Sequence, residues 1–279
     1  MKKLAVLLLS LFVACFLFVG ISNAGDEEIV NAIVEARASV KEFALPTSKL
    51  PDLTVDKAYA LQKALAKAIL AKGDTIGGFK AGLTSEAGQK KFGVNAALLG
   101  PLFKSGEMGP DAVVDRKDFV RLFIENEVGY VVGQKISAPV KDVESLKKMI
   151  KEVFPAVELP DLRFADMKSL KGQDLIVDAV ACSKYIIGPR IPADKVDVSK
   201  VEVALTCDGA VVNQGKAADA LGDQWKALLW LVNGAVEQGW AIEPGQILIT
   251  GAMGNMIPGK PGKYAGDWGP LGKLSWMVK

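Results

Sequence analysis

Phe119-Val-Arg-Leu-Phe-Ile-Glu125-Asn-Glu127-Val-Gly129-Tyr-Val-Val-Gly133 is built from β-branched and aromatic residues punctuated by glycine, the composition of a strand. Side chains alternate faces along a strand, so Glu125 and Glu127 point the same way with Cα atoms about 6.5–7 Å apart. Phe123 shares that face, which marks it as a poor solvent face. Two carboxylates on one half-buried face repel each other and cost free energy unless a cation neutralises them. A third, Glu158, closes the apolar segment Val153 to Leu159, 31 residues after Glu127. The central expectation is that the three carboxylates converge on one divalent metal. A Glu-x-Glu pair on a solvated strand edge with lysine partners is the competing reading.

The chain has no histidine. That excludes His-rich zinc catalysis and any Ser-His or Cys-His nucleophile pair. A catalytic metal would therefore sit among carboxylates and be a hard cation, Mg²⁺ or Mn²⁺, with Ca²⁺ possible.

Working outward, Met1-Lys2-Lys3, the apolar run Leu4 to Ile21 and Ser22-Asn23-Ala24 have the layout of a secretory signal peptide spanning 1–24, cleaved after Ala24. An uncleaved membrane anchor and lipoprotein processing at Cys15 are the alternatives. Residues 1–24 hold two of the 34 basic residues and no acid, so the rest balances at 32 basic against 32 acidic. Nothing in that balance points to nucleic acid or a stable membrane association, and the expected location is periplasmic or secreted. Cys182 and Cys207 could pair in an oxidising compartment or remain buried thiols.

Residues 25–74 read as an N-terminal helical region. Helices are expected over Glu27 to Phe43 and from Thr54, an N-cap, to Lys72. Residues 75–279 form the expected catalytic domain. Thr75 to Thr84 is a strand with glycines on both sides of Lys80, a lysine set among apolar neighbours. A lysine held there has its charge destabilised unless it meets an anion, and either outcome suits acid–base chemistry; an edge-strand lysine in water is the competing reading. A helix over Val143 to Val153, a strand over Asp174 to Ile187 and a hairpin about Asp208-Gly209 follow. A helix from Trp225 to Gln238 with Leu228, Leu229, Val232 and Val236 inward, a buried strand Ile247 to Gly251, a glycine-rich stretch Pro258 to Gly272 and a last strand complete the chain. Strands outnumber helices without sustained βα alternation, so the fold class is α+β with a mixed sheet.

Several segments in order resemble the fumarylacetoacetate hydrolase superfamily, in its 2-keto-4-pentenoate hydratase and 4-oxalocrotonate decarboxylase branch. They are Leu53 to Gln62 with its Ala58-Tyr59, Gly78-Phe-Lys-Ala-Gly-Leu-Thr-Ser85, Glu125-Asn-Glu127, Pro155-Ala-Val-Glu158, Trp230-Leu-Val-Asn233, Pro244-Gly245 to Gly251, and Asp267-Trp-Gly-Pro-Leu-Gly272. The resemblance implies a β-roll or sandwich with flanking helices and a homo-oligomer. It implies Glu125, Glu127 and Glu158 as ligands of Mg²⁺ or Mn²⁺, Lys80 as catalytic, and Gly82, Leu83 and Asp178 beside a small 2-oxo acid substrate. The function it implies is an extracytoplasmic hydratase or decarboxylase working through a metal-stabilised enolate. Departures from the branch lie at Asn95 to Leu99, at Ala179-Val180-Ala181 after Asp178, and at Ala252. They remove polar groups and leave a second reading open, a non-catalytic periplasmic binding protein for a 2-oxo or dicarboxylic acid.

Overall fold

The computed structural model describes residues 24–279. The expected leader therefore lies, but for Ala24, outside the described residues. No helix among the described residues is long and apolar enough to cross a membrane.

Two long helices come first, α1 (Ala24–Ser39) and, after the short α2 (Pro46–Lys49), α3 (Val55–Leu70). Thr54 caps α3 by accepting from the Lys57 amide at 3.2 Å. Then come β1 (Ile76–Gly82), the short helix α4 (Glu86–Lys91), β2 (Leu98–Phe103), β3 (Glu107–Met108), β4 (Ala112–Val114), β5 (Phe123–Val132), α5 (Val143–Lys147), β6 (Ile150–Leu159), α6 (Gly172–Val177), β7 (Lys184–Ile187) and β8 (Ile191–Pro192). The chain ends with β9 (Glu202–Cys207), β10 (Ala210–Lys216), α7 (Gln224–Glu237), β11 (Ile247–Ile249), β12 (Met253–Pro258), β13 (Gly262–Asp267) and β14 (Lys273–Val278).

The strands form two mixed sheets. The larger runs β2-β1-β11-β5-β6-β7-β3, with β12 on β5 and β8 on β6; the smaller runs β10-β9-β13-β14-β4. The β9–β10 hairpin turns at Asp208 and Gly209, both with positive φ.

The larger sheet curls on itself. Its edge strands β2 and β3 are joined by only Lys104-Ser105-Gly106. Four strand spacings separate β1 from β7, about 19 Å on a flat sheet. Yet a Cβ on Gly77 of β1 would stand 2.5 Å from the Tyr185 hydroxyl of β7. Glycine at 77 is what lets that tyrosine cross the interior.

The curl gives the sheet an inner and an outer face. Odd-numbered residues of β5 and even-numbered residues of β6 point inward, where Val131, Phe154, Ala156, Tyr185, Ile247 and Ile249 form an apolar cluster with Cys182. Ile124, Val128, Val153 and Val157 point outward into the main core with α1, α3 and α7. Gly129 of β5 makes room for a ring, since a Cβ there would lie 2.2 Å from Phe154.

Four expectations need correction. The helix from Val143 to Val153 stops at Lys147, and Ile150 onward is strand β6. The β-branched residues that look like a helix flank pair with β5 over its whole length. The strand from Asp174 to Ile187 is helical at its start and extended only from Lys184. There the Asp174 carboxylate accepts from Thr47 N (2.8 Å), Thr47 Oγ1 (2.9 Å) and Lys171 N (3.0 Å), anchoring a helix start through a contact remote in sequence. The inward stripe of α7 is Ala227, Leu228, Leu231, Val232 and Ala235, so Leu229 and Val236 are only half-buried. Part of the glycine-rich stretch, Gly262 to Asp267, is strand β13.

Cys182 and Cys207 are separate free thiols, the first buried on the inner face and the second on the smaller sheet.

Candidate metal centre

Glu125 and Glu127 share the inner face of β5 because a strand repeats every two residues. In the antiparallel β5–β6 ladder Glu125 stands directly opposite Glu158. One carboxylate oxygen from each of the three lies within 4.8 Å of the others. Glu127 and Glu158 are fully buried, whereas Glu125 is half-buried at the mouth of the group.

Lys80 completes the arrangement. It is three strand spacings from β6 in the sheet path, about 14 Å if flat, and the curl carries it across. Its Nζ lies 2.6 Å from both Glu158 oxygens, with hydrogen-bond geometry to Oε1, and donates to the Val180 carbonyl at 3.1 Å. Burial pushes the amine down, but attraction to Glu158, then Glu125 and Glu127, outweighs it and holds Lys80 above its ordinary pKa. Lys80 is thus a buried ammonium.

One cation does not balance three acids. Burial, reinforced by the charge of Glu158, pushes Glu125 up to about 8. The same causes, with Glu125 added, hold Glu127 well above the carboxylate range against the Gly251 N–H that its Oε2 accepts at 2.6 Å. Glu127 Oε1 is buried without a hydrogen bond among the described residues, and Glu158 Oε2 has only the Lys80 ammonium at 2.6 Å. A buried polar oxygen without a partner is costly. A hard cation answers all these features. Its metal–oxygen distances of about 2.1–2.5 Å place ligand atoms up to roughly 4–5 Å apart, which matches the carboxylate spacing.

The pH dependence of stability follows. Glu125 keeps its proton in the folded chain at pH values where the unfolded chain has lost it, so its contribution is complete below the ordinary carboxylate range. That contribution is lost as pH rises toward about 8. The metal-free protein is expected to lose at least about 5 °C in Tm from pH 5 to 8, at ~2–4 °C per kcal/mol, and millimolar Mg²⁺ to restore most of it at pH 8. Scanning calorimetry checks this; a metal-free Tm that rises across that window contradicts it.

The other residues singled out in the sequence fall at different distances from this centre. Gly82 lies beside it, a Cβ there being 2.6 Å from Val180 Cγ1 and 3.9 Å from Lys80 Nζ. Leu83 follows in a left-handed conformation (φ 51°), half-buried, its carbonyl accepting from Gln89. Asp178 is fully buried with both oxygens engaged, Oδ1 by Arg37 Nε at 2.8 Å and Oδ2 by Arg163 Nη1 at 3.0 Å.

Three groups whose part in the centre the sequence does not reveal support it. Ala179, Val180 and Ala181 are consecutive left-handed residues (φ 52°, 55° and 57°), each costing about 1–2 kcal/mol. That turn aims the Val180 carbonyl at Lys80, and Gly100 admits it, since a Cβ there would lie 2.5 Å from the Ala179 carbonyl. The Thr250 hydroxyl donates to Gln224 Oε1 (2.6 Å), which also receives the Tyr130 hydroxyl (3.1 Å), steadying the turn that presents Gly251 N–H to Glu127. Buried Trp268 donates Nε1 to the Glu127 carbonyl at 3.0 Å. Cys182, pushed up to about 11 by burial and then by Glu158, stays a thiol.

Residues 101–268 match the model of the fumarylacetoacetate hydrolase C-terminal family, which covers more than half of the chain. The chain belongs to the fumarylacetoacetate hydrolase family. Within it, the 2-keto-4-pentenoate hydratase of Paraburkholderia xenovorans (strain LB400) is 29% identical over 237 residues, covering 85% of this chain and 88% of that one. A 4-oxalocrotonate decarboxylase from a Pseudomonas species is 29% identical over 210 residues, covering 75% and 81%. The structure of 4-oxalocrotonate decarboxylase from Pseudomonas putida G7, complexed with magnesium and adipate, superposes with a TM-score of 0.86 at 26% identity, covering 91% of this chain and 97% of that one. A second structure of that enzyme is complexed with calcium and acetate. The named relatives are lyases, and those structures hold hard divalent cations, the type the carboxylate set here favours.

Proposed function

We propose that this chain is a divalent-metal-dependent lyase, a hydratase or decarboxylase of a small unsaturated 2-oxo acid, acting outside the cytoplasm and as a homo-oligomer. The observation that carries the chemistry is the buried meeting of Glu125, Glu127 and Glu158 with Lys80 on one inner face. The layout of residues 1–24 supports the location, and the family resemblance supports the assembly.

Glu125, Glu127 and Glu158 would hold Mg²⁺ or Mn²⁺, which supplies Lewis acidity toward the oxygens of a 2-oxo acid. The chain's own residues do the rest. Lys80, held as an ammonium, faces the substrate carboxylate or delivers a proton to carbon. The Val180 carbonyl and Glu158 fix its direction, and the missing side chain at Gly82 lets Val180 pack against it. Burial of Glu127 and Glu158 keeps bulk water away from the charged atoms, which strengthens each electrostatic contact.

A second reading, a binding protein without turnover, draws on the scarcity of proton carriers at this face. Asp178 has no free oxygen, Cys182 is a firm thiol, and Ala179 and Ala181 bring only methyl groups. Purified protein with Mg²⁺ or Mn²⁺ decides between the two. Metal-dependent loss of 2-hydroxypenta-2,4-dienoate or oxalocrotonate absorbance is expected; binding of pyruvate or oxalate with no turnover of either compound establishes the binding protein.

A further inference from the structure

We infer a second ligand site, for a small organic anion, in the cleft between the N-terminal helices and the end of the curled sheet. The cleft is about 680 Å³, within the range of about 300–1,000 Å³ typical of small-molecule sites. At one end it is set by Thr75, just before β1, five residues or about 17 Å along an extended chain from Lys80. None of the metal-centre residues lines it.

Four basic side chains, Arg37, Arg163, Lys72 and Lys104, line its polar wall with one acid, Asp74; behind the lining, Asp178 and Asp161 pair with the arginines and Glu107 takes Lys104 Nζ at 2.6 Å. Asp74 is already spent, accepting from Thr75 N at 2.8 Å, from Ser105 N at 3.1 Å and from the Ser105 hydroxyl. The two arginines are fixed from behind. Arg37 gives Nε to Asp178 Oδ1 and Nη2 to the carbonyls of Asp178 and Cys182 (3.1 and 2.9 Å). Arg163 gives Nη1 to Asp178, and its Nε lies 3.0 Å from Asp161 Oδ2. Among the described residues, Arg37 Nη1 and Arg163 Nη2 make no hydrogen bond. Arg163 is only 4% exposed, so it is a guanidinium fixed in the wall of the cleft rather than a loose surface charge.

Preorganised guanidinium donors with their other edges locked suit the oxygens of a carboxylate or phosphate head. Val34, Ile69 and Phe103 supply an apolar side to the same cleft. The ligand chemistry is therefore one anionic head on an apolar body. The inference does not depend on the proposed lyase activity, because it uses none of the metal-centre residues.

Titration calorimetry of Mg²⁺-loaded protein with phenylphosphonate tests it, since the probe has one dianionic head and one ring. Saturable 1:1 binding is expected, weakened at least tenfold in Lys72→Glu/Lys104→Glu and retained in Glu125→Gln. Both lysines are at the surface of the cleft, and unchanged circular dichroism and Tm confirm folding of the double variant; the single Lys72→Glu variant is expected to give an intermediate loss. Absence of binding at millimolar probe, or undiminished binding in the double variant, overturns the site. Loss of binding in Glu125→Gln instead assigns the probe to the metal centre and equally overturns it.

Discussion

Glu158→Gln is expected to weaken Mn²⁺ binding at least 100-fold and to reduce any turnover below about one thousandth, while leaving the fold intact. The side chain is enclosed, lies opposite Glu125 across the ladder and is the group nearest Lys80. Glutamine keeps the shape and still offers Lys80 an oxygen, so the sheet has no steric reason to change. Charge is what differs. Three carboxylates balance one ammonium plus one dication, giving an electroneutral interior. With glutamine at 158 the same set carries a net positive charge away from water, and a dication enters only against that imbalance. A 100-fold loss corresponds to about 2.7 kcal/mol, modest for removal of one anionic ligand in a low-dielectric site. Calorimetric Mn²⁺ titration of Glu158→Gln beside Glu152→Gln, an acid of the same strand outside the cluster, measures it. Equal affinity in the two variants would remove Glu158 from the site.

The parts of this centre that were legible in the sequence are those set by local periodicity. Alternation along β5 is enough to place Glu125 and Glu127 on one face, and an apolar β6 is enough to make Glu158 an enclosed acid. The glycines around Lys80 were legible as close approaches, although the partner was not. Gly78 yields to the backbone of Ile247, whose carbonyl would lie 1.8 Å from a Cβ, and Gly82 yields to Val180. What local pattern could not supply is register and curl. Nothing in the residues of β1 says that three strands away a glutamate will sit 2.6 Å from its lysine. The misread segment Asp174 to Ile187 fails for the same reason. Its apolar run fits a strand and a buried helix equally well. The choice is made by Thr47, 127 residues earlier, and by the left-handed turn after Asp178. Asp178 itself illustrates the limit: an acid beside a family-like motif looks free until Arg37, 141 residues away, takes one of its oxygens. Backbone groups such as the Val180 carbonyl and the Gly251 amide carry no residue identity to read.

Lys80→Met separates the amine's chemistry from the metal's. Methionine is an unbranched chain like the buried lysine stem and carries no charge, so the carboxylates lose their resident cation while the ladder that positions them stays as it is. Mn²⁺ affinity is expected to be retained or to rise, because the dication then meets three acids without a competing ammonium. Turnover is expected to fall by about 10³, within the 10²–10⁴ range associated with a positioned proton donor or acceptor. The distribution of that loss identifies the role. A fall in kcat at nearly constant KM, with a flattened pH profile, assigns proton delivery to Lys80. A rise in KM with kcat retained assigns it to holding the substrate carboxylate. Turnover within tenfold of the native protein would instead make Lys80 a counter-charge for Glu158 and nothing more. Loss of Mn²⁺ binding together with activity would make it part of the scaffold that assembles the carboxylates. The geometry favours the first outcome: Lys80 is held by Glu158 and Val180 on two sides, and the attraction of three glutamates keeps its proton in place until a substrate arrives.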